Sequence, residues 1–83
     1  MDAETASHFV RAFVDYARGT MQVSALLELE GTAAWRRVRS LLEEFCVGEY
    51  GAGWKGRLEG DEGLAAVEEA LKTRLLQTAW VAR

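Results

Sequence analysis

Thr20-Met21-Gln22-Val23-Ser24-Ala25-Leu26-Leu27-Glu28-Leu29-Glu30 is the stretch whose reading decides the fold. Read as a strand, Met21, Val23, Ala25, Leu27 and Leu29 alternate with Gln22, Ser24, Glu28 and Glu30, and Leu26 breaks the polar side. Read as a helix, Thr20 caps it and Leu26, Leu27 and Leu29 supply the apolar contacts. The Ala-Leu-Leu-Glu-Leu-Glu composition favours the helix, and so do its neighbours.

On one side, a helix is expected from Thr5 or Ser7 to Arg18. Ala6, Phe9, Val10, Phe13, Val14 and Ala17 form a wide apolar stripe, and Gly19 closes it. On the other side, Thr32 caps a helix reaching Val47. Trp35, Val38, Leu42, Phe45 and Cys46 share its apolar face, widened by Ala34 and Leu41, and Gly48 reads as its stop. Gly48-Glu49-Tyr50-Gly51-Ala52-Gly53-Trp54-Lys55-Gly56 then reads as a loop, because each glycine is costly inside a helix. A last helix runs from about Asp61 to Trp80. It buries Leu64, Val67, Leu71, Leu75 and Thr78, while Leu76 and Trp80 point elsewhere.

The 83 residues contain no proline, so nothing of that kind interrupts these segments. The expected architecture is all-α: one domain over 1–83, a small bundle of three long helices with a shorter fourth element. The alternative is a small α+β fold with Met21–Glu30 and part of Glu49–Leu58 as strands.

Thirteen acidic residues against ten basic ones leave a net charge of −3. That balance argues against a general nucleic-acid binder, though not against a local basic patch. A single cysteine, Cys46, excludes an intramolecular disulfide. No apolar run has the length of a membrane span. The start Met1-Asp2-Ala3-Glu4 lacks the cationic and apolar regions of a signal peptide, so the cytoplasm is the expected compartment.

Chemistry-bearing sets are weak. Gly51-Ala52-Gly53-Trp54-Lys55-Gly56 is a literal GxGxxG. A dinucleotide site needs a strand before it, a helix directly after it and an acid about 20 residues on, whereas here a helix is expected before it, the next helix begins several residues late and no acid lies beyond Glu69. Nothing brings His8, Asp15 and Cys46 together as a nucleophilic set. One histidine and one cysteine do not make the usual structural zinc site. Glu43-Glu44 and Glu68-Glu69 diverge around their helices and read as solvated faces. The expectation is therefore no enzyme, no cofactor and no metal.

The remaining signals point to partners. Arg36, Arg37 and Arg39 lie near the start of the third segment and Glu43 and Glu44 near its end, both against the helix dipole. Two antiparallel copies would set each arginine group beside the other copy's glutamates, as in a two-fold dimer. Trp35, Trp54 and Trp80 are many tryptophans for so short a chain. With Tyr50 they read as a partner-binding patch on a helical adaptor or small subunit that self-associates. The same arginines offer a second class, a small nucleic-acid-binding regulator. Thr20 to Val47 has the outline of a helix-turn-helix with Gly31 in the turn. Arg37 and Ser40 stand where that motif wants apolar residues, with Val38 and Leu41 one position off. Lys72, Arg74 and Arg83 make the last helix basic and amphipathic. Its cations suit the C-terminal end of a core helix.

Overall fold

A computed structural model describes residues 2–22, 32–60 and 62–77. Four helices occupy them: α1 (Ala3–Arg18), α2 (Ala33–Tyr50), α3 (Trp54–Glu59) and α4 (Leu64–Leu76). The fold is all-α, and no strand occurs among the described residues. The second expected helix falls mostly on 23–30, outside the described residues.

Helix α1 starts earlier than its hydroxyl residues suggest. Asp2, not Thr5 or Ser7, is the N-cap, and its carboxylate accepts from the Thr5 N–H at 2.8 Å. A carboxylate at this end gains from the dipole as well as from the bond, and that bond holds its pKa below the usual carboxylate value. At the other end Gly19 adopts φ 72°, ψ 20°, and its N–H returns to the carbonyls of Asp15 and Tyr16. This left-handed cap is the stop read from sequence.

Helix α2 is capped as expected, with Thr32 Oγ1 accepting from the Trp35 N–H at 3.2 Å. It does not stop at Gly48. It continues to Tyr50 and ends on Gly51, whose φ of 78° and ψ of −170° suit glycine alone. The N–H of Gly51 closes onto the Val47 carbonyl at 2.9 Å. Gly48 stays helical, and the residues added beyond it bring half-buried Tyr50 under the Arg57 guanidinium at 5.1 Å.

The glycine-rich stretch holds a helix rather than a loop or strand. Trp54 and Leu58, both buried, anchor the short α3 to the core. Their burial outweighs Gly56 in the interior. This overturns the alternative that made part of Glu49–Leu58 a strand.

Helix α1 packs against all three of the other helices. The shared core is Ala6, Val10, Phe13 and Val14 of α1, Trp35, Val38, Leu42 and Cys46 of α2, Trp54 and Leu58 of α3, and Val67, Leu71 and Leu75 of α4. Phe13 stacks on Trp54 at 5.6 Å between centroids, 13° from parallel. Arg18 donates to the Glu59 carbonyl at 2.9 Å, tying the end of α1 to the end of α3.

Candidate interaction surfaces of the second helix

The residues expected to meet a partner divide into three groups. Trp35 has 0% of its surface exposed and Trp54 7%. Both are core residues, and neither ring presents a surface in this fold. The chain is long enough to enclose two indoles because α1 supplies a central apolar face to both. Tyr50 is half-buried, and the Arg57 guanidinium lies over its ring at 5.1 Å. Trp80 lies outside the described residues.

A second group turns inward on α2. Trp35, Arg39 and Glu43 follow one another at intervals of four and form one ridge, and Tyr16 of α1 lies across it. The Tyr16 ring meets Trp35 edge-on at 6.0 Å and 85°. The Arg39 guanidinium stands 5.8 Å from the Tyr16 ring centroid. The Tyr16 hydroxyl donates to Glu43 Oε1 at 3.3 Å. Burial, with the Glu43 charge second, raises the Tyr16 pKa, while Arg39 pulls it the other way. The phenol therefore stays protonated and remains the donor. Arg39 and Glu43 thus serve the α1–α2 contact, and the three arginines do not form one cluster.

The third group faces outward. Ala33, Arg36, Ser40, Glu44 and Val47 are all exposed, Val47 by 50%. Their spacings of three, four, four and three hold them on one line along the helix. Arg37 is exposed beside them. The adjacent pair Glu43-Glu44 is thereby split, one carboxylate on Tyr16 and one in the outer stripe. The outward position of Arg37 and Ser40 agrees with their misfit to a helix-turn-helix register. The first helix and turn of that motif fall on 23–31, outside the described residues.

Beside the stripe, a groove of about 680 Å³ runs between α2 and α4. Half-buried Leu41, Phe45 and Ala70 form its apolar part, and Glu44, Glu49 and Glu69 stand around them. Sequence reading placed Leu41 and Phe45 on the core face. It missed the groove because Ala70 is too small to close it.

The chemical sets stay apart. Cys46 is fully buried, and burial, with Glu43 second, pushes its thiol up to about 11. His8 is exposed on α1, in a polar cleft with Glu68 and Lys72 of α4. The GxGxxG segment bridges two helices, and its middle tryptophan is a core residue. Among the described residues no three metal-ligating side chains cluster. No described helix is long and apolar enough to cross a membrane. No protein family matches this chain, and neither a curated protein nor a solved structure matches it.

Proposed function

We propose that this chain is a non-enzymatic helical interaction module that self-associates as a two-fold dimer through the outer stripe of α2. One observation carries the reading: the stripe is self-complementary about Ser40. Turned antiparallel with the axis at Ser40, Arg36 of one copy meets Glu44 of the other, and Ala33 meets Val47. The small Ser40 at the crossing permits close approach of the helix axes there. The charge order against the dipole, a cost within one copy, becomes favourable beside an antiparallel mate. Only Val47 is large and apolar, so the association is weak and reversible, with Kd of about 1–100 μM. The partner-binding role drawn from the sequence leaves Trp35 and Trp54, stays with Arg36 and Glu44, and takes in Ser40 and Val47.

Sedimentation equilibrium across that range tests it. Arg36→Glu or Glu44→Arg alone places like charges together twice per dimer. With about 0.2–1 kcal/mol per exposed pair, each single reversal weakens Kd roughly two- to thirtyfold. The combined reversal restores association. A monomer throughout, or effects that add with no rescue, removes the dimer. Glu43 is excluded from the test, because reversing it breaks its bond to Tyr16.

The competing class, nucleic-acid binding through Arg36 and Arg37, predicts salt-dependent retardation of random duplex or single strand. Glu44 on the same face repels phosphate and weighs against it.

A further inference from the structure

We propose that the groove between α2 and α4 is a docking site for a basic amphipathic helix of a partner protein. Its lining runs from Leu41 to Glu49 on α2 and from Glu69 of α4 to Gln77, the residue that caps α4. Each wall is about two helical turns, roughly 12 Å. That length takes apolar anchors at i and i+4, or i, i+3 and i+7, of an incoming helix. Leu41 and Phe45 offer half-buried apolar surface, and the small side chain of Ala70 leaves the depth between them.

The form of the occupant follows from backbone chemistry. Both walls are helices, whose interior N–H and C=O groups are bonded within themselves. A segment seated on the apolar part must therefore satisfy its own backbone, which a helix does and an extended peptide does not.

Its charge follows from the rim. Glu44, Glu49 and Glu69 stand there with Arg74 as the cation. Glu44 and Glu49 also occupy the C-terminal half of α2, where the helix dipole adds negative potential. Lysines or arginines flanking the partner's apolar stripe complete this surface. The groove is distinct from the dimer stripe, sharing only Glu44 with it.

The test uses the full chain and a fluorescent leucine–lysine peptide designed as a short amphipathic helix. A scrambled peptide of the same composition and a leucine–glutamate counterpart serve as controls. Anisotropy should show saturable binding of the first peptide at or below about 100 μM, with much weaker binding of both controls. Amide shift changes should concentrate on 41–49 and 69–77. Glu49→Lys combined with Glu69→Lys should weaken binding by roughly tenfold or more, as expected where facing charges become like. Ala70→Leu, which fills the groove without changing charge, should weaken it too. Absence of saturable binding overturns the proposal. Equal binding of the scrambled peptide, shifts confined elsewhere, or indifference to both variants does the same. Glu49 and Glu69 lie off the outer stripe, so the double reversal should leave self-association unchanged. Loss of the dimer with intact peptide binding refutes only the dimer.

Discussion

Tyr16 sets the register of α1 on α2, because a single side chain meets Trp35, Arg39 and Glu43 at once. Tyr16→Phe keeps the ring contacts and removes only the bond to Glu43. At 3.3 Å and partly exposed, that bond is weak, so the expected loss is about 0.5–1 kcal/mol in urea denaturation. Cys46 shows how burial, with the Glu43 charge second, governs a residue's chemistry. With its thiol pushed up to about 11, it should not react with a thiol reagent at neutral pH until denaturant unfolds the chain. Rapid labelling of the folded protein would contradict that placement. The sign of the alkaline response follows. The unfolded thiol ionises near its ordinary value of 9.0, whereas the folded one ionises at about 11. The unfolded state loses the proton first, so stability is full below pH 9 and falls as pH rises toward 11. The raised pKa of Tyr16 acts in the same alkaline direction. The inward turn of Arg39 and Glu43 was half legible. Their spacing of four marks a shared face, but only the position of α1 decides that a phenol lies there.

At the scale of the element, two glycines of α2 separate opposite effects. Gly48 sits inside the helix, and a Cβ there would meet nothing within 4 Å. Gly48→Ala should stabilise by roughly 0.5–1 kcal/mol by lowering the entropy of the unfolded chain. Gly51 has φ 78° and ψ −170°, a region that a side chain makes costly. Gly51→Ala should destabilise by about 1–3 kcal/mol, although the space around it is equally open. Thermal unfolding of both variants checks the contrast, and equal signs would mean that α2 ends elsewhere. Gly48 reads as the stop of α2 in the sequence, and Gly51 is the stop in the fold, because a glycine in sequence does not announce its φ. The Asp2 cap adds an acid-side response. Its lowered pKa means that its contribution is present above the ordinary carboxylate range and is lost as pH falls through the folded value. The α1 stripe and the Thr32 cap were legible, because periodicity and a hydroxyl before a helix are local signals.

For the whole molecule, the two described tryptophans are internal supports. Trp35→Ala removes a fully buried indole and should cost about 3–5 kcal/mol. A domain of this size has a total stability of only about 5–15 kcal/mol, so circular dichroism should show a large drop in Tm or loss of the cooperative transition. Retention of wild-type Tm would be incompatible with its central place. The outer stripe of α2 and the groove between α2 and α4, by contrast, are surface features of the packed bundle. The sequence alone favoured the helical class and determined three of the helical segments and most core positions, since these depend on spacing and propensity along the chain. It also exposed the conflict between the α2 charges and the helix dipole. Only the tertiary structure decided that Gly48-to-Gly56 contains a helix, that Trp35 and Trp54 are enclosed, and that Arg39 and Glu43 turn inward while Arg36 and Glu44 turn out. The physical reason is that burial depends on what packs from elsewhere in the chain. A short apolar pair such as Trp54 and Leu58 overrides local glycine cost once α1 supplies the surface that covers it.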